Sequence, residues 1–429
     1  MSDTARFVFQ DQHGGQQSID QKDLVANVPN AEGTSSTVIY VERDEADDAG
    51  LPKVKMAKAQ VGPAVTRPDE TDGRETHIII STGSGTGKGV EFFEQAVQPV
   101  LSTLFPASHA SFQIHTTESE SSILGLTNDI FFPKANAGTL IRIILISGDG
   151  GVIDLVNGLL AKSASPQYTP PEVVLLPLGT ANALYHSINA GRENTWGLCS
   201  LSTDVGSRPL PIFTATFSAG ARLLVDEARK EEELPQDSET GKPTLHGAVV
   251  GSWGMHASLV ADSDTAEYRK FGVERFKMAA KEALFPADGS PPHSYKGKVS
   301  VLQKGTWTPL KTQEHMYILA TMVSNLEKPF TISPASKPLD GSMHLIHFGP
   351  TDGDETMRLM GLAYQGGKHV DEPSVLYEAI DGLKIEFEGQ EKDVRWRRIC
   401  IDGKIIALES DGHVEIRKES RHVLNIAGT

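Results

Sequence analysis

The stretch Ile141-Arg142-Ile143-Ile144-Leu145-Ile146-Ser147, followed at once by Gly148-Asp149-Gly150-Gly151 and then by Val152-Ile153-Asp154-Leu155-Val156-Asn157-Gly158-Leu159-Leu160, decides the fold. Its first part is a short apolar β-rich run, the pattern of a buried strand. Its last part carries apolar residues at 152, 155, 156 and 159, the spacing of a helix buried on one face. Outward from this unit the same alternation recurs. His77–Ser81, Ser111–Thr116 and Glu172–Leu176 read as strands. Val90–Leu104, a weaker segment after Thr117, Gly151–Leu160 and Ala181–Ile188 read as helices between them. Strands alternating with helices predict a three-layer α/β domain with a parallel sheet over residues 76–200.

Beyond about residue 205 the alternation stops. Strand-like runs dominate: Ile212–Phe217, Lys298–Leu302, Met316–Met322, Met343–Phe348, Leu383–Phe387, Arg398–Ile401, His413–Arg417 and Val423–Ile426. Two helical patterns interrupt them, Tyr268–Leu284 and Thr356–Tyr364. Residues 205–429 therefore predict a second, mainly antiparallel β domain. The charged segment Asp226–Leu245 reads as a solvated loop. Residues 1–75 read as a polar extension, with short strands at Arg6–Gln10 and Thr37–Glu42 and a linker that begins at Asp44–Gly50.

Composition excludes several function classes. The 429 residues hold 40 Lys+Arg against 56 Asp+Glu, a net charge of −16. That surface repels nucleic-acid phosphates and gains nothing from an anionic membrane, so no nucleic-acid partner is expected. Two cysteines, Cys199 and Cys400, exclude a disulfide framework and a CxxC metal site and fit a reducing compartment. The opening residues lack a hydrophobic signal core, and no apolar run is long enough for a membrane span. The expectation is a cytoplasmic protein, with oligomeric state open up to a homodimer.

Ligands of open α/β sheets bind at the carboxyl ends of the strands, and here each such loop is glycine-rich. Thr82-Gly83-Ser84-Gly85-Thr86-Gly87-Lys88-Gly89 offers backbone N–H groups and a lysine to a phosphate. It is not a Walker A loop, which needs Gly at position 82 and Ser or Thr at 89. Gly148-Asp149-Gly150-Gly151 opens a helix, with Asp149 either in a site or capping the helix end. Asp154 and Asn157, three apart, are expected to share a face near it. In Pro177-Leu178-Gly179-Thr180-Ala181-Asn182-Ala183, Thr180 reads as an N-cap and Asn182 as projecting from the first helical turn. Together the three loops predict a phosphate or nucleotide site. Trp253 reads as core, and the 14 histidines show no zinc spacing.

The ordered set Ser84-Gly85-x-Gly87-Lys88, Ser147-Gly148-Asp149-Gly150 with Asn157-Gly158-Leu159, and Pro177-x-Gly179-Thr180-x-Asn182 resembles the diacylglycerol kinase-type lipid kinases, which include sphingosine and ceramide kinases. Within that family, Gly251-Ser252-Trp253-Gly254-Met255 and Tyr268-Arg269-Lys270-Phe271-Gly272-x-x-Arg275-Phe276 look most like sphingoid-base kinases. The resemblance implies an α/β ATP-binding domain, a β-sandwich that binds lipid, use of ATP and Mg2+, and a sphingoid base drawn from a membrane to which the protein is peripheral. It implies that Asp149 is the catalytic carboxylate. Ser84, Gly85, Gly87, Lys88, Thr117, Ser147, Gly148, Gly150, Gly179, Thr180, Asn182, Arg269, Arg275, Asp402 and Gly403 would hold the nucleotide. Asp262 would meet the sphingoid amine, with Ser258 and Asp264 as rivals in register. Metal ligands stay unassigned.

Two departures matter. The first loop begins Ser81-Thr82 where the family has Asn-Pro. Asp402-Gly403-Lys404 stands where the family has Asp-Gly-Glu, so that Lys404 either contacts a phosphate or marks a weakened kinase. The alternatives to a sphingoid-base kinase are a ceramide- or diacylglycerol-type kinase and a non-catalytic lipid- or nucleotide-binding relative.

Overall fold

A strand with every side chain buried must lie between two layers, and Ile141–Ser147 is such a strand. In the computed structural model, which describes residues 5–42, 50–60, 73–202, 206–272 and 274–428, it occupies the middle of a six-stranded sheet. We label its parallel members β1 (Glu75–Ile80), β2 (Gln113–Thr116), β3 (Ile141–Ser147) and β4 (Glu172–Pro177). Helix α1 is built from Gly89–Phe92, a π turn at Phe93–Val97, and Gln98–Leu104. Helix α2 likewise joins Ser122–Leu126, Thr127–Phe131 and Phe132–Asn136. Helix α3 spans Asp149–Leu160 and α4 spans Ala183–Asn189. The predicted parallel α/β unit is observed. Its sheet order is Ser207–Pro209, Asn425–Ala427, β4, β3, β1, β2.

The two outer strands come from beyond residue 205. Asn425–Ala427 pairs parallel with β4, and Ser207–Pro209 pairs antiparallel with Asn425–Ala427. The run read as Val423–Ile426 thus serves the parallel sheet rather than the β domain.

The remaining strands form two large antiparallel sheets. One runs, in spatial order, Thr244–Gly247, Ile212–Phe217, His413–Glu419, Gly382–Glu386, Lys298–Gln303, Thr306–Pro309. The other runs Lys230–Glu233, Arg222–Val225, Lys404–Ala407, Arg398–Ile401, Val250–Gly254, Tyr317–Thr321, Met343–Phe348, Leu376–Ile380. Phe213, Ile385 and Ile416 of the first share one core with Trp253, Leu319 and Ile399 of the second. The chain is α/β followed by β, as its sequence pattern predicts. Trp253 is fully buried, its indole N–H donating to Trp396 O at 2.8 Å, and is core.

Helices α5 (Met255–Ser263), α6 (Glu274–Leu284) and α7 (Gly353–Ala363) lie on the second sheet's side of the site. The single helix expected over Tyr268–Leu284 is instead broken, with Ala266–Arg269 separated from α6 by a turn in which Gly272 has φ 54°. Helix α5 was not foreseen. The expected loop Asp226–Leu245 includes an exposed strand, Lys230–Glu233, that pairs with Arg222–Val225.

The N-terminal region holds more structure than its polarity suggests. A hairpin, Arg6–Gln10 with Gln16–Asp20, precedes a three-stranded sheet of Leu24–Pro29, Ser35–Glu42 and Lys53–Gln60. Val28, Ile39 and Val41 pack in one core with Phe92 and Phe93 of α1. The linker expected from Asp44 to Gly50 lies, except for Gly50, outside the described residues.

Asn157 joins the two halves. Its Nδ2 donates to His246 O at 2.9 Å and its Oδ1 accepts from His246 N at 3.0 Å, so one amide side chain satisfies both backbone groups of a strand residue. It does not face the site beside Asp154. Asn157→Ala leaves those buried groups unpaired and is expected to destabilise the protein by about 2–4 kcal/mol. Urea denaturation measures this; a loss below about 0.5 kcal/mol would remove the cross-link from the account.

Candidate active site

The carboxyl ends of β1, β2, β3 and β4 open on one cavity of about 910 Å³. All three glycine loops line it, as does the Asp402-Gly403-Lys404 turn, so residues far apart in sequence meet where the parallel sheet predicts.

The loops pack on one another, and this is what their glycines are for. A Cβ on Gly148 would lie 2.7 Å from the Cα of Gly179, and one on Gly179 would lie 2.5 Å from the Cα of Gly148. Gly85, at φ 54°, has the Leu178 carbonyl oxygen where its Cβ would be, at 2.3 Å. A Cβ on Gly150 meets open space. Of the four, Gly150 alone is free to approach a ligand, and the others let three backbones touch. Hydroxyls finish the junction. Ser84 Oγ lies 2.7 Å from Ser81 Oγ and 3.1 Å from Ser147 Oγ, and Thr82 N donates to Thr117 Oγ1 at 3.0 Å.

Asp149 caps a helix other than its own. Its Oδ2 accepts from Ala183 N at 2.7 Å and its Oδ1 from Leu184 N at 3.0 Å, the first amides of α4. Asn182 occupies the cap position itself but is left-handed, φ 54°, and folds back on Gly179, accepting from its N at 2.7 Å and donating to its O at 2.9 Å. The reading of Thr180 as N-cap and Asn182 as a first-turn projection is corrected: Thr180 lines the cavity and Asn182 closes the loop. Burial raises the Asp149 carboxyl above its ordinary value, against the two amide bonds.

Asp154, one helical turn on, is buried and receives Lys404 Nζ at 2.9 Å. Burial raises its carboxyl and the lysine opposes this. Asp402 is consumed by backbone. Its carboxylate accepts from Ala248 N at 2.6 Å, Val249 N at 3.1 Å and Val250 N at 2.5 Å. With Asp402 at φ 48° and Gly403 at φ 90°, the pair forms the two-residue turn between Ile401 and Lys404.

The other expected site residues divide. Arg269 and Arg275 line the cavity and share Asp264, which accepts from Arg269 Nε at 2.9 Å and Nη2 at 3.0 Å and from Arg275 Nη1 at 3.4 Å. Arg275 Nε is buried with no hydrogen-bond partner among the described residues. Asp262 stands apart from the lining and is held by Arg395 and Arg398, both at 2.8 Å, while its rivals differ in setting. Asp264 lines the cavity; Ser258 is buried and accepts from Tyr295 OH at 2.8 Å. Gly87 and Lys88 are exposed in the turn leading to α1 and outside the lining.

In sequence, the stripe Phe271, Phe276, Met278, Ala279 and Leu284 reads equally as the wall of an acyl-chain pocket or as ordinary core, and the structure gives the cavity an apolar branch there. Phe276, Ala280 and Leu284 of α6 line it at a four-residue spacing, and α7 contributes Met357, Met360 and Gly361, with Tyr364 just beyond its end. That spacing is visible in the sequence, but an inward helix face looks the same whether it meets core or cavity. Phe271 and Met278 of that stripe are exposed instead. His256, which burial depresses to about 4, is neutral beside Ser252 and was unmarked by any motif.

The residues fit an ATP polyphosphate: open backbone at Gly83 and Gly150, and Arg269 and Arg275 in the same lining. They do not fit a Mg2+ held by the protein, which takes one or two carboxylates as ligands. Asp149, Asp154 and Asp402 each have donors already, Glu118 and Glu120 of the lining are exposed, and among the described residues no cluster of three His, Cys, Asp or Glu is arranged to hold a metal.

Residues 75–215 match the model of the diacylglycerol kinase catalytic domain. The chain is 22% identical to human sphingosine kinase 1 over 369 residues, covering 78% of this chain and 86% of that protein. It is 23% identical to the rat sphingosine kinase 1 over 362 residues, with the same coverage. A crystal structure of a diacylglycerol kinase from Bacillus anthracis str. Sterne superposes with TM-score 0.50 at 14% identity, over 83% of this chain and 97% of that one.

Two outcomes test the geometry. Gly179→Ala is expected to cost about 1–3 kcal/mol by forcing the loops apart and to weaken nucleotide binding by about tenfold or more. Gly150→Ala should leave the unfolding midpoint unchanged, and equal effects of the two would contradict the packing role. Burial raises the Asp402 carboxyl to about 7 from 3.8. Between those values the folded state keeps a proton the unfolded chain has lost. Its contribution is therefore full below about pH 4 and is lost as pH rises through about 7. Asp402→Asn should flatten the fall in stability between about pH 5 and pH 8, measured by urea denaturation; an unchanged slope would assign that fall elsewhere.

Proposed function

We propose that the chain is a lipid kinase of the diacylglycerol kinase catalytic-domain type, and that it transfers the γ-phosphoryl group of ATP to the primary hydroxyl of a sphingoid base. One observation carries this reading: Asp149 lies where the glycine loops and the apolar branch share a single cavity. Phosphates at the loops and an acyl chain among α5, α6 and α7 bring the two reacting ends to that carboxylate.

The chemistry follows from the setting of Asp149. Its two amide donors fix its orientation, and its raised pKa makes it a better proton acceptor than an exposed aspartate. The lipid hydroxyl oxygen forms a bond to the γ-phosphorus and the bond to the bridging oxygen of ADP breaks. The hydroxyl proton passes to Asp149. Arg269 and Arg275 carry the charge that grows on the transferred group. A divalent cation, when it accompanies ATP, neutralises phosphate charge.

For the amine of a sphingoid base, Asp264 replaces Asp262 as the carboxylate facing the cavity. A second reading, a neutral lipid alcohol such as diacylglycerol or ceramide, is favoured by the same residue, because its charge is already met by Arg269 and Arg275.

Purified protein assayed with Mg-ATP against sphingosine, phytosphingosine, ceramide and diacylglycerol in mixed micelles separates them. Asp149→Asn is expected to lower turnover by about two to four orders of magnitude with nucleotide binding retained. Asp264→Asn should reduce kcat/KM for sphingoid bases by about tenfold more than for neutral lipids. Turnover of neutral lipids alone would transfer the proposal to the second reading, and turnover of no lipid would refute both.

A further inference from the structure

Lys404 is the one cavity residue whose charge contradicts its expected place, and its surroundings are built to hold it. The turn that presents it is pinned by Asp402, whose carboxylate binds three successive amides, Ala248, Val249 and Val250. The left-handed Asp402-Gly403 pair then sets the direction in which the next side chain leaves the hairpin. Lys404 crosses from that hairpin to α3 and donates to Asp154 at 2.9 Å, while remaining a third exposed and part of the cavity wall. An ammonium has three donors. One is committed to Asp154, and the others are available on the cavity side.

The aspartates beside it are engaged, Asp149 and Asp402 by backbone amides and Asp154 by Lys404, and the other two acids of this part of the lining, Glu118 and Glu120, are exposed. We propose that Lys404, aimed by the Asp402 turn and steadied by Asp154, is a phosphate-binding residue that supplies from the protein the fixed positive charge at the nucleotide, so that ATP binding by this chain does not depend on a metal ion held by its side chains. The inference rests on the nucleotide-site reading above and extends it. Asp154 and Asp402 are positioning residues in this arrangement: both determine where the ammonium stands.

Isothermal titration calorimetry of the full chain with ATP tests this, in EDTA and in Mg2+. The wild type is expected to bind in both buffers with affinities within about fivefold of each other. Lys404→Met should lose about tenfold in EDTA. Lys404→Arg should retain most of that affinity, which separates loss of charge from loss of fold. Asp154→Asn should still bind in both buffers, because it frees the ammonium rather than removing a metal ligand. Wild-type binding that collapses in EDTA, with Asp154→Asn losing the Mg2+-dependent part, would make Asp154 a metal ligand and overturn the inference while leaving the kinase reading intact. Equal binding by Lys404→Met and wild type would overturn it as well. Absence of ATP binding in either buffer would overturn both readings.

Discussion

The carboxylate of Asp149 bound to the first amides of α4 is the constraint on which the site depends. A helix start leaves N–H groups unsatisfied, and a residue within the helix or just before it ordinarily meets them. Here the donor pair of one loop is met by the acid of another. Neither loop can therefore move without breaking the cap of α4. The contact of Gly148 with Gly179 is the steric counterpart, since any side chain at either position would separate the backbones that this hydrogen bonding draws together. An acid held in this way needs no further partner to keep its orientation, and its raised pKa is the electrostatic result of enclosing it.

Much of this was legible. The strands, the position of each glycine loop at a strand end and the change to antiparallel sheet after residue 205 all follow from periodicity and turn chemistry. What escaped depended on contacts between distant residues. Asp154 and Lys404 are 250 positions apart, and no local pattern joins them. Asp262 and Asp264 illustrate register. Residues two apart at a helix end do not face the same way, so the count of six back from Tyr268 reached the carboxylate paired with Arg395 and Arg398 rather than the one on the cavity. Lys53–Gln60 reads as linker because it is an edge strand with most side chains exposed, and its pairing with Ser35–Glu42 rests on backbone that composition does not reveal.

The apolar branch shows a different limit. Helices α6 and α7 turn apolar faces inward, as any packed helix does, and the sequence does not record that the faces stop short of each other. Whether a stripe fills a core or borders a cavity is decided by the spacing between elements, which the sheets beneath them set. Among the described residues no helix is long and apolar enough to cross a membrane.

The strand Asn425–Ala427, buried between β4 and Ser207–Pro209, has a consequence for how the molecule is made. Until it arrives, β4 exposes a row of unpaired backbone groups beside the apolar residues Val173 and Val174, an edge of the kind that invites pairing with other chains. The first half of the polypeptide leaves the ribosome long before the strand that seals it. The α/β sheet is thus completed last, and the two halves reach their final state as one cooperative unit rather than in order of synthesis.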